Sequence, residues 1–223
     1  MDAEPYLRKA IEVSPWFVTP RLDLAGILLS QNKYSEAIEQ LRLILETEPD
    51  NFTATFTLGK LLSDGAENCR DLPSAVRLLA RARELNPNSA EAMDGLAAAL
   101  CQSKAYRKAA EVLSDAVTKR PSDLRPVYKL AWLFATTEDD SVRDPIESRR
   151  LANYAIEHGA NNQPIMYDVL AAAYAAEGEF ERAIEFTDIA LDICKTIPNA
   201  SDEVRSAIER HAESFREKKP WRE

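Results

Sequence analysis

The densest group of side chains suited to recognition is Arg125, Tyr128, Lys129 and Trp132. On a helix, Tyr128 and Trp132 stand one turn apart with both cations beside them. Amphipathic aromatics flanked by cations suit an acidic or C-terminal peptide, through stacking and charge-assisted hydrogen bonds. The alternative packs Trp132 between neighbouring helices and leaves the cations in solvent. Residues suited to catalysis are sparse. The two histidines, His158 and His211, read as surface or edge residues, and nothing in the spacing gathers a Ser-His-Asp set around one pocket. Cys69, Cys101 and Cys194 are far apart and show no CxxC spacing, so they read as small apolar fillers or loop residues rather than zinc ligands. The run Glu138-Asp139-Asp140 with Asp144 lacks the alternating oxygen ligands, turn glycine and distal glutamate of a calcium loop. It reads as a solvated loop whose last acid caps the next helix. No catalytic residue, cofactor or metal site is predicted.

Composition narrows the classes further. Lys and Arg total 28 against 37 Asp and Glu, a formal net charge of −9. That argues against sequence-independent nucleic-acid binding, which needs a basic surface to displace counterions. Only 6 of the 223 residues are glycine, which disfavours a loop-rich β fold and a Gly-rich phosphate cradle. No apolar run approaches the ~20 residues of a membrane span. The opening Met1-Asp2-Ala3-Glu4-Pro5 has neither the basic start nor the apolar core of a signal peptide. An odd, scattered cysteine set favours a reducing compartment, with the periplasm open if an upstream signal was removed. Asn51-Phe52-Thr53 and Asn199-Ala200-Ser201 match the glycosylation pattern, which is short enough to arise by chance.

What must position these residues is an internal repeat. Pro15 and Pro49 are 34 residues apart, Pro49 and Pro87 are 38 apart, and Pro87 and Pro121 are 34 apart. Asp50, Asn88 and Ser122 follow three of these prolines and are predicted to cap the next helix. In phase with them run Ala37, Leu41, Ile44; Ala75, Leu79, Ala82; and Ala109, Leu113, Ala116, each set on one helical face. Earlier helices carry Leu24-Ala25/Leu28, Leu58-Gly59/Leu62, Leu96-Ala97/Leu100, Leu130-Ala131/Phe134 and Leu170-Ala171/Tyr174. The small residue in each group lets a partner helix approach closely.

This pattern resembles the tetratricopeptide repeat, a 34-residue helix–turn–helix unit. The fullest copy runs from Tyr167 through Leu170-Ala171 and Tyr174 to Gly178, Phe180, Ala183 and Ala190, departing at Thr187 and Lys195. The resemblance implies an all-α, right-handed superhelix. Residues 1–17 would be the second helix of a partial repeat. Five repeats would cover about 18–51, 52–89, 90–123, 124–163 and 164–199, and 200–223 would be a capping helix and tail. Insertions fall within 63–71 and 136–144, at the turn between the two helices of a repeat. The unpaired first helix points to a piece of a longer chain.

In that family the first helix of each repeat lines a concave groove. Carried across, the register gives Phe56, Lys60, Arg125, Tyr128, Lys129, Trp132 and Asp168 as contacts for a protein or peptide partner. The Asn and Lys pattern of a carboxylate clamp and the Asn ladder of glycosylating members are not met. The ending Lys219-Pro220-Trp221-Arg222-Glu223 is similar to that of bacterial repeat proteins often joined to glycosyltransferase or sulfatase domains. The expectation is a non-enzymatic scaffold, with an accessory C-terminal region of a larger enzyme as the alternative. A third possibility is self-association through an uncapped N-terminal end.

Overall fold

The protein is described by a computed structural model over residues 3–65, 67–197 and 201–222. Met1, Asp2, Asn199, Ala200 and Glu223, which entered the reading above, lie outside these residues. The described residues form twelve α-helices and no strand. In order they are α1 (Glu4–Val13), α2 (Val18–Ser30), α3 (Tyr34–Thr47), α4 (Phe52–Asp64), α5 (Leu72–Leu85), α6 (Ala90–Gln102), α7 (Tyr106–Lys119), α8 (Leu124–Thr136), α9 (Pro145–Ala155), α10 (Pro164–Ala176), α11 (Phe180–Thr196) and α12 (Asp202–Arg216). They fall into two compact units, one through Ala105 and one from Tyr106. The division separates α6 from α7, the two helices of one expected repeat.

In the first unit the core is built from the periodic residues. Leu24, Ala25 and Leu28 of α2 meet Ala37, Leu41 and Ile44 of α3, with Leu58 and Leu62 of α4 and Ala75 of α5. The small position matters most at Gly59, where an added Cβ would stand 2.8 Å from Leu79 Cγ of α5. That is below van der Waals contact, so α4 and α5 approach this closely only because no side chain intervenes.

The helix caps lie one residue beyond the expected Asp50, Asn88 and Ser122. Asn51 accepts from the Ala54 amide at 3.0 Å, Ser89 from Ala92 at 3.1 Å and Asp123 from Arg125 at 3.1 Å. The reason is a turn. Asn51, Ser89 and Asp123 donate their amides to Glu48, Asn86 and Arg120, three residues back. Each repeat-linking proline is thus the second residue of a four-residue turn, where its fixed φ is favoured. The residue after it is spent in that turn, and the next one caps.

In the second unit, Thr187 replaces a usual large apolar residue yet is fully buried. Its hydroxyl donates to the Ala183 carbonyl at 2.7 Å, which satisfies the polar group inside its own helix. The 136–144 insertion returns to the core by the Asp144 amide donating to the Phe134 carbonyl at 3.0 Å. Asp144 then caps α9 by accepting from Glu147 at 2.9 Å, with Pro145 in the first turn. The first insertion is tied back the same way, by the Asp71 amide to the Leu62 carbonyl at 2.9 Å.

Candidate partner-binding site

Two of the expected contact residues lie in the first unit. Phe56 stacks on Phe52 with ring centroids 5.9 Å apart and planes 4° apart. Lys60 pairs with Asp64, whose carboxyl is held below its usual range by that lysine against the opposing effect of burial. Both side chains lie over the α6 backbone at Gly95, where a Cβ would be 3.2 Å from Lys60 Cδ and 3.6 Å from Phe56 Cε2. Phe56 and Lys60 are therefore partly used in packing α4 on α6.

The other five are brought together in the second unit, on α8 and α10. The capping residue Asp123 opens α8 and also holds Arg125 by a two-pronged pair, Nε at 2.9 Å and Nη2 at 2.8 Å. The guanidinium keeps the Asp123 carboxyl below the ordinary carboxylate range. Pro126, Val127, Leu130, Ala131, Leu133 and Ala135 turn inward, which leaves Tyr128, Lys129 and Trp132 half-buried along the remaining face.

Asp168 lies at a recess formed with Tyr128 and Trp132 but is a carboxylate only 4% exposed, and it is met there by His211 of α12. The His211 Nδ1 stands 3.0 and 2.9 Å from the two oxygens. A carboxylate offers only acceptors, so Nδ1 carries the hydrogen of this bond. His211 is likewise no surface residue, being 5% exposed. The cause is the rotation of α12: Ile208, His211, Ala212 and Phe215 form its buried stripe, and the stripe faces α10 and α11. His158 does remain exposed, with Nδ1 2.7 Å from the Tyr154 carbonyl oxygen.

Two aromatic rings enclose the buried pair. The Trp132 ring centroid is 5.1 Å from that of His211, and the Trp221 centroid is 4.5 Å from it on the tail after α12. Trp132 packs beside buried Ala135 and Ala172 and also lines open space. That space is a recess of about 330 Å³ bounded by Tyr128, Trp132, Ile165, Asp168, His211 and Trp221. A second recess of about 390 Å³ adjoins it, bounded by Arg125, Tyr128, Gly159, Gln163, Ile165 and Met166. Tyr128 and Ile165 are the shared wall. Gly159 is required there, since its φ of +108° closes the wide turn Ile156–Ala160 at the end of α9.

His211, Ile165 and Trp221 were not among the expected contacts. In the sequence, Val204, Ala207, Ile208, His211, Ala212 and Phe215 share one helical face, a signal for burial that outweighs the surface reading of His211, but nothing local points to a partner 43 residues earlier. Among the described residues no group of three or more His, Cys, Asp or Glu could hold a metal ion. No helix of the described residues is long and apolar enough to cross a membrane.

A family model described as Tetratricopeptide repeat matches residues 2–58 and 70–133. No curated protein matches the chain at a significant level. Among solved structures, a crystal structure of MamA protein is similar at 20% identity and TM-score 0.67, covering 83% of this chain and 95% of that one. The structure titled "Crystal structure of YrrB: a TPR protein with an unusual peptide-binding site" gives 18% identity and TM-score 0.66, covering 92% and 97%. MamA 41-end from Desulfovibrio magneticus RS-1 gives 18% and 0.67, covering 80% and 96%. At these identities the likeness is one of fold.

Proposed function

From the premise that the chain belongs to the tetratricopeptide repeat family, we propose that it is a non-enzymatic scaffold binding a peptide or helix of a protein partner. The observation that carries this reading is the pair of adjoining recesses sharing Tyr128 and Ile165. Two recesses side by side along α8 and α10, one of them closed by α12 and the tail, suit two side chains of one extended segment, with half-buried aromatics as anchors. Arg125, exposed at the rim of the second recess, favours an acidic group at that end of the segment. Arg125 would exchange part of its Asp123 contact for it. Phe56 and Lys60 form a second, smaller contact area in the first unit. The similarity to a solved protein titled as peptide-binding supports the same class of role.

The test is selection from a displayed peptide library. Peptides retained by the native chain should be lost on Tyr128→Ala with Trp132→Ala, with helical circular dichroism unchanged. Selected peptides that bind the folded double variant equally well would remove this face from the site.

A second reading has one observation in its favour. Tyr6, Val13, Trp16 and Phe17 are 69%, 72%, 74% and 57% exposed. Apolar side chains this open suit contact with another folded body, either a catalytic domain of a larger enzyme or a second copy. An immunoblot of source cells and sedimentation at several concentrations separate these. A band far above 25 kDa supports the first, and mass rising with concentration supports the second.

A further inference from the structure

The chain leaves α12 by a reversal that recurs elsewhere in it. Lys218 has φ +56°, its amide donates to the Phe215 carbonyl at 2.9 Å, and the Lys219 amide donates to Ser214 at 2.9 Å. The same two bonds close α2 at Asn32, α6 at Lys104 and α10 at Gly178. This is the Schellman arrangement. At Asn32, Lys104 and Gly178 it hands the chain to a second helix that begins with Tyr34, Tyr106 or Phe180. After Lys218 the described residues form no further helix.

Instead the tail crosses to α8. Trp221 packs on His211 and beside buried Phe215, and it forms one wall of the recess containing Tyr128 and Trp132. Arg222 Nη1 donates to the Ala135 carbonyl at 3.4 Å, at the carbonyl end of α8 where a cation is favoured. Arg143 donates to the Thr137 carbonyl at the same helix end, and its charge, after burial, lowers the Arg222 pKa. The contacts of the tail thus include an aromatic ring on His211, the Ser214 hydroxyl donating to the Lys219 carbonyl at 2.9 Å, and a guanidinium that is opposed by a like charge.

We propose that the seat of the tail is a recognition site for peptide segments carrying an aromatic residue followed by a basic one, with the chain's own Pro220-Trp221-Arg222 as resident ligand. This rests on the scaffold reading and specifies its ligand. A partner segment of that class enters by displacing the tail. The tail therefore sets a threshold, because a tethered ligand competes at an effective concentration near millimolar.

The experiment uses the chain ending at Arg216 and a fluorescein-labelled synthetic peptide of the tail, Glu-Lys-Lys-Pro-Trp-Arg-Glu. Binding is read by anisotropy, with helicity by circular dichroism as the folding control. The shortened chain should bind the peptide in the micromolar range. The full chain should bind it at least about tenfold more weakly, because its own tail competes. The peptide carrying Trp221→Ala should lose at least about tenfold on the shortened chain. No binding to the folded shortened chain, or equal binding of both peptides, overturns the proposal. If the shortened chain loses helicity, the full chain with Trp221→Ala takes its place and must bind the native tail peptide, failing which the proposal falls. Library peptides that still bind through Tyr128 while the tail peptide does not would overturn the ligand assignment alone. Loss of both would overturn the scaffold reading as well.

Discussion

Replacing His211 by alanine removes a donor from a carboxylate that is 4% exposed and a ring that lies between two tryptophans. Breaking a buried polar pair by deleting one partner costs about 3–5 kcal/mol, because the remaining group stays desolvated. The lost ring contacts with Trp132 and Trp221 add about 0.5–1.5 kcal/mol each. Water entering from the neighbouring recess offsets part of this, so the expected loss is about 3–5 kcal/mol. Asp168→Asn keeps an acceptor oxygen for Nδ1 and should cost only about 1–2 kcal/mol. His158→Ala, on an exposed ring, should stay within about 0.5 kcal/mol. Urea unfolding followed by helical circular dichroism and tryptophan fluorescence measures all three. A double-mutant cycle of His211→Ala with Asp168→Ala should give a coupling of about 2 kcal/mol. If His211→Ala shifts the midpoint no more than His158→Ala, or the coupling is zero, the pair does not hold α12 against α10 and the account of this face is wrong.

Two glycines inside helices should respond with opposite sign. A Cβ at Gly26 meets nothing within 4 Å, so Gly26→Ala should stabilise by about 0.5–1 kcal/mol through helix propensity. At Gly59 the clash with Leu79 Cγ outweighs that gain, and Gly59→Ala should destabilise by about 1–3 kcal/mol; equal shifts in urea midpoint would contradict the close approach of α4 and α5. The Asp123 pKa is lowered in the folded state, so its contribution is present above the unfolded value near pH ~4 and is lost as pH falls through the folded value. Asp123→Asn should therefore flatten the fall of stability below about pH 4, and an acid profile identical to the native one would show that the carboxylate is not held by Arg125 and the cap.

Much of the repeat was legible because it depends on side-chain volume at fixed spacing. Leu24, Ala25 and Leu28 or Ala37, Leu41 and Ile44 need no distant information to be placed on one face, and they form the core of the first unit. The caps were misplaced by one residue because proline takes part in a turn before the helix starts, and residue type alone does not distinguish Asp50 from Asn51. His211 was misread, and its pairing with Asp168 unforeseen, for a different reason. A helical wheel assigns a residue to a face but not the neighbour that covers it, and the neighbour here arrives from another helix 43 residues later.

The ending was legible as a motif, but its docking on α8 was not, because the turn that directs it carries no residue signal. Glycine marks the left-handed reversal at Gly178, but Asn32, Lys104 and Lys218 adopt the same sign of φ without that signal. A lysine there bears a steric cost of about 1 kcal/mol that glycine avoids. The reversal at Lys218 is nonetheless made, with its two hydrogen bonds, Trp221 against His211 and Arg222 on the end of α8 offsetting the strain. α12 therefore ends as a first helix of a repeat does, and its inward stripe is used as one would be. Its outer face is charged and exposed through Arg205, Glu209, Arg210, Glu213 and Arg216. In the first unit α1 contains no buried residue, and Val13 and Trp16 are among the most exposed apolar side chains described. Apolar side chains this open are what the second reading proposed above rests on, since contact with another folded body would remove them from water.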